Sequence, residues 1–123
     1  MNTPKNINRV AVLTNAGDQT LETISIDTLE RLAIQVKVEK FPLAAFKIQV
    51  RFHASGDYIT LYSAAGNYTA PAGLLIGASG DLTTQAVGSG WFIMDVRALE
   101  SVRVLARSGD AAGSTVTLYG RGI

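Results

Sequence analysis

Residues 90–123 read GWFIMDVRALESVRVLARSGDAAGSTVTLYGRGI, and their pattern decides the fold. The run from Trp91 to Met94 is apolar at every position, as expected of a central strand covered on both sides. That reading puts Trp91 in the core. Asp95 ends the run, where it is expected to satisfy backbone groups. Arg97-Ala98-Leu99-Glu100 then reads as a short crossing from one sheet to another, with Leu99 closing the end of the core. In SVRVLARS, Val102, Val104 and Ala106 alternate with a row that holds Arg103 and Arg107. Alternation of this kind sends one row inward and the other outward. After the SGD turn at 108–110, Val116 and Leu118 alternate with Thr115, Thr117 and Tyr119. Three strands, a crossing and a turn are the closing part of a β-sandwich.

The same rhythm extends toward the amino terminus. FKIQVRFH places Phe46, Ile48, Val50 and Phe52 on one row and Lys47, Gln49, Arg51 and His53 on the other. AIQVKVEK does so with Ile34, Val36 and Val38. Ile24 and Ile26 are the expected inward pair of TLETISID. YITLYS is a denser strand, while RVAVL and LLIG are weaker ones. DTLERLA has capping-box spacing from Asp27 to Glu30, but its β-branched flanks make it a turn between strands. SGD at 55–57, 79–81 and 108–110 and AGD at 16–18 mark further turns, with glycine expected at positive φ and aspartate bonding back to its backbone. Six of the 12 glycines fall in residues 63–90, a stretch expected to hold loops around one short strand. The expected fold is all-β: a single antiparallel, jelly-roll-like sandwich of about eight strands. Residues 1–9 read as a flexible polar arm and residues 10–123 as the sandwich domain.

Composition narrows the function. At 123 residues one domain can bury a proper core without staples. There are no cysteines, which excludes disulfides, thiolate metal sites and cysteine nucleophiles. A net charge of +1 argues against nucleic-acid binding through bulk charge. The start, MNTPKNINRV, lacks the apolar run of a signal peptide, and no stretch reaches the length of a membrane span. Synthesis in the cytoplasm, with no membrane partner, is the expectation.

Catalytic motifs do not emerge. His53 is the only histidine and sits in a polar row without a motif-linked Ser or Asp, so it reads as a surface residue. The turn aspartates Asp57, Asp81 and Asp110 lack the closely spaced carboxylates that calcium requires. No pair of carboxylates forms a glycosidase motif, and no glycine spacing matches a phosphate loop. The expectation is a non-enzyme with no metal and no cofactor. Contact residues are better represented. Lys47, Arg51, Arg103 and Arg107, with Lys37, lie on polar rows and would form a basic stripe if their strands were neighbours. Tyr62 and Tyr68 flank the glycine-rich stretch and are candidates for partner contact. Ile7 and Arg9 belong to the arm, with Ile7 its only large apolar anchor.

The tail WFIMDVRALESVRVLARSGDAAGSTVTLYGRGI resembles the closing strands of small β-sandwich virion proteins of tailed bacteriophages, which include capsid cement or decoration proteins and tail components. DVRALESVRV and GSTVTLYGRG carry the resemblance. The polar amino terminus, the missing cysteines and the Ala/Gly/Ser/Thr-rich loops are similar in style. The resemblance implies a structural protein located in the virion that bridges subunits. Its partners would be the major capsid protein or other virion proteins and itself, as a homo-oligomer with a trimer ahead of a dimer. A cement protein leads; a tail or baseplate component and a carbohydrate-binding module are the alternatives.

Overall fold

The computed structural model describes residues 4–64, 74–78 and 88–123. They form nine strands: β1 (Lys5–Leu13), β2 (Gln19–Ser25), β3 (Arg31–Glu39), β4 (Leu43–Arg51), β5 (Ile59–Ser63), β6 (Leu74–Ala78), β7 (Gly88–Asp95), β8 (Ser101–Ser108) and β9 (Ser114–Gly122). Five build one sheet in the order β1-β9-β3-β7-β6, and four build the other in the order β2-β8-β4-β5. Every pairing is antiparallel. Without β6, the strand order is that of a jelly roll: first, last, third and sixth face second, seventh, fourth and fifth. β6 extends the five-stranded sheet by pairing with β7.

The inward rows meet as the alternation requires. Ile34, Val36 and Val38 of β3 and Val116 and Leu118 of β9 face Phe46, Ile48 and Val50 of β4 and Val102, Val104 and Ala106 of β8, all of them buried. Phe46 and Phe92 meet edge to face across the layers, with ring centroids 6.4 Å apart. Fully burying each such side chain contributes about 1.5–3 kcal/mol, so these rows dominate stability. The connection after β7 crosses between the sheets as expected. Arg97 N donates to Asp95 Oδ1 at 3.1 Å, and Leu99 packs, partly buried, against the core. Residues 27–30 form the expected turn.

Several expectations need correction. Residues 5–9 are not an arm: they are the first half of β1, paired from Lys5↔Gly122 to Arg9↔Leu118. Ile7 is a core residue, 6% exposed, and anchors nothing outside. Asn6, Asn8 and Val10 take the outward row, so a polar string is still a strand with one buried face. Residues 1–3 lie outside the described residues. Phe52 follows the last residue of β4 and is 60% exposed, because the chain turns before the inward row can continue. Trp91 is 43% exposed: β7 is covered by the other sheet on one face only. The positive-φ glycine among the described residues is Gly113, at φ 92°, and not a glycine of an SGD or AGD turn. A Cβ there would lie 2.7 Å from the Leu13 carbonyl oxygen, so glycine is needed twice over. The SGD at 79–81 and most of the glycine-rich stretch lie outside the described residues.

Candidate interaction faces

The outer face of the four-stranded sheet brings the predicted basic stripe together. β4 and β8 are neighbours, with Gln49↔Arg103 and Arg51↔Ser101 opposite each other. Lys47, Arg51, Arg103 and Arg107 therefore share this face, while Lys37 lies on β3 in the other sheet. The stripe is not free to bind. Lys47 Nζ donates to Asp18 Oδ2 at 2.6 Å, and Arg107 Nη1 lies 3.9 Å from Asp18 Oδ1. Arg51 Nε donates to Glu100 Oε1 at 2.7 Å. Arg103 Nε donates to Gln49 Oε1 at 2.7 Å, and the Gln49 amide donates to Thr60 Oγ1 at 3.1 Å. The guanidinium carbons of Arg103 and Arg51 lie 3.9 and 4.8 Å from the Tyr58 ring centroid. The Tyr58 hydroxyl is 2.7 Å from Ser101 Oγ. Asp18 comes from the β1–β2 connection and Glu100 from the crossing, so loops supply the anions for strand-borne cations. This network fastens loops to the sheet.

The outer face of the five-stranded sheet is built differently. Registers across β1, β9, β3 and β7 place Asn8, Tyr119, Gln35 and Trp91 in one row. The next rows hold Val10, Thr117 and Lys37, then Val12, Thr115 and Glu39. On the other side lie Asn6, Arg121, Ala33 and Ile93. Val10 is 59%, Val12 71%, Trp91 43% and Tyr119 44% exposed. Large apolar side chains collected on one surface mark contact sites in soluble proteins. Lys37 and Glu39 are 4.0 Å apart, both about half exposed, and give the face one loose ion pair. Sequence reasoning missed this face. The signal was parity: Trp91, Ile93 and Asp95 share a row, and a row that ends in a carboxylate faces water.

Among the described residues, the remaining candidates are engaged locally. His53 is exposed, and its Nδ1 accepts a hydrogen bond from the Ser55 amide at 3.0 Å within a turn. A cleft of about 350 Å³ at one end of the sandwich is lined by Glu30, Arg31, Asp95, Arg97 and Ile123. There Arg97 donates to Asp95 from Nη2 at 2.6 Å and from Nε at 3.1 Å. These side-chain bonds, with the backbone bond from Arg97, lower the Asp95 pKa to about 2. A carboxylate ionised so far below neutral pH and tied to a guanidinium is a poor general acid or base. Tyr62 is half-buried against the core, so it offers only part of its ring. Tyr68 lies outside the described residues. Arg9 is exposed at the edge of the sheet on the inward-facing row, where an inward charge discourages edge pairing.

No protein-family model matches the chain, and no curated protein matches it. Among solved structures, it is similar to the SPBc2 prophage-derived protein YomS, with a TM-score of 0.57 and 12% identity. The match covers 99% of this chain and 96% of that one. At that identity the likeness establishes a shared fold over the whole chain.

Proposed function

We propose that this chain is a non-enzymatic structural protein of a tailed-bacteriophage virion, acting as a cement protein that binds the assembled capsid and stabilises it. The observation that carries this reading is the outer face of the five-stranded sheet, with Trp91, Tyr119, Val10 and Val12 exposed on a rigid surface. Stable contacts need such buried-on-binding aromatic anchors more than surface charge. The fold-level likeness to a prophage-derived protein supports the phage setting. The non-enzymatic reading draws on His53 and Asp95, whose hydrogen bonds serve turns and an ion pair.

In the experiment, purified chain is mixed with undecorated capsids and, separately, with tails, and the assemblies are pelleted. Saturable binding to capsids, reduced at least about tenfold by Trp91→Ala, is the expected result. Binding to tails alone would replace cement protein with tail component. Binding to neither would overturn the virion reading.

A further inference from the structure

We propose that the outer face of the five-stranded sheet docks on the same face of a second copy, about a two-fold axis along the Asn8–Tyr119–Gln35–Trp91 row. The proposal rests on reading this face as an assembly surface and names its occupant as a second copy, so that capsids take up the dimer and Trp91→Ala lowers their occupancy through loss of pairing. It is tested without any virion component, so the two readings can fail separately.

Charge placement selects the occupant. Arg31 and Glu39 both lie exposed on β3, four residues to either side of Gln35. A two-fold axis lying in the interface and crossing β3 at Gln35 reverses the strand direction of the second copy. Arg31 of each copy then meets Glu39 of the other, so opposite charges pair twice. Within one chain these side chains are eight residues apart along one strand, about 27 Å, and form no pair with each other. Arg121 of one copy falls on Thr117 of the other, one strand from Lys37 and diagonal to Glu39. Glu39 thus lies among three cations, which offsets the approach of Lys37 and Arg121, while Asp95, the cross-strand neighbour of Arg31, is the other anion brought near.

Size and composition fit the same occupant. The four strands β1, β9, β3 and β7 and the nine residues of β3 span roughly 19 by 30 Å, or about 1,100 Å² across a pair of faces, which clears the roughly 1,000 Å² a biological interface needs and lies just under the standard size. Tyr119, Gln35 and Trp91 all sit on the axis; Tyr119 and Gln35 lie at the centre of the patch, where residues that dominate affinity cluster, and Trp91 meets its own copy at the β7 end. Sheets pack face to face with their strands near alignment, and a surface that is its own complement closes as a pair. This favours two-fold over three-fold association.

Sedimentation velocity on the full chain, from low to high micromolar concentration, tests the proposal with four variants: Glu39→Arg, Arg31→Glu, the double exchange and Trp91→Ala. Circular dichroism and melting verify that each is folded. The wild type is expected to dimerise. Each single reversal should weaken the dimer at least about tenfold, and the double exchange should bind more tightly than the worse single reversal but short of the wild type, because a cation at position 39 then lies beside Lys37 and Arg121. Trp91→Ala should leave a folded monomer. A wild type that stays monomeric, a trimer, or a dimer indifferent to these changes would overturn the proposal. So would a double exchange no better than the worse single reversal. A monomer that binds capsids or a glycan through Trp91 would overturn it too, and assign the face to that occupant. A dimer with the expected charge pattern that binds no virion part would leave this proposal standing and overturn the cement reading.

Discussion

The outer faces of the two sheets come from the same strand alternation, yet their side chains are employed differently. On the four-stranded sheet, Lys47, Arg51, Arg103 and Arg107 each have a partner at 2.6–3.9 Å, and Tyr58 lies between two guanidinium groups. Loops fold over that face and supply Asp18 and Glu100. On the five-stranded sheet the described residues leave Trp91, Tyr119, Val10 and Val12 in contact with water. A row of like charges therefore does not by itself mark a binding surface, because neighbouring loops can neutralise it. Among the described residues, the exposed aromatic groups Trp91 and Tyr119 are held by no comparable network.

The sharpest division is between stability and association. Glu100→Ala should cost about 1–2 kcal/mol, since Arg51, 27% exposed, loses its charged partner. Urea denaturation measures that loss, and self-association should be unchanged. If Trp91→Ala instead costs more stability than Glu100→Ala, the two faces have been assigned the wrong roles. Tyr58→Phe keeps the ring between the arginines and removes the hydroxyl from Ser101, for an expected loss of about 1 kcal/mol by the same measurement.

Smaller effects follow where pairs are more exposed. Asp18→Asn should destabilise by about 0.5 kcal/mol at low salt and less at high salt, because the Lys47 and Asp18 side chains are 32% and 23% exposed. Thermal melts at two salt concentrations would show it. The smallest effect is pH-dependent. The Asp95 pKa falls from 3.8 to about 2 on folding, chiefly through the side-chain hydrogen bonds from Arg97. A depressed carboxylate contributes stability above its unfolded pKa and loses it as pH falls through the folded one. The difference in melting temperature between wild type and Asp95→Asn should therefore be constant above about pH 5, narrow below pH 4 and vanish under pH 2. A difference that widens with acid would show that Arg97 does not hold the ionised form.

Much of the fold was legible because strand periodicity is local. Parity alone identified the buried rows of β3, β4, β8 and β9, and the Arg97–Glu100 crossing followed from a short segment, charged at both ends, set between two strand patterns. It failed where apolar density was read instead of parity. Apolar neighbours put Trp91 inside on such a reading, and polar ones put residues 1–9 outside as an arm. Both errors disappear when alternate residues are read separately, since Ile7 and Leu13 share a row and Trp91 shares one with Asp95.

By itself, then, the sequence determined the class of structure, the inward rows and the absence of thiol chemistry. Which strands became neighbours was decided only in three dimensions. β9 lies between β1 and β3, and β8 lies between β2 and β4, pairings that span most of the chain. Those pairings placed Tyr119 and Trp91 in one exposed row and brought Asp18 and Glu100 onto the basic stripe. Alternation says which side of its own strand a residue occupies, but not which strand lies alongside. Surfaces are made of neighbours, so the interaction face became visible only with the sheet order.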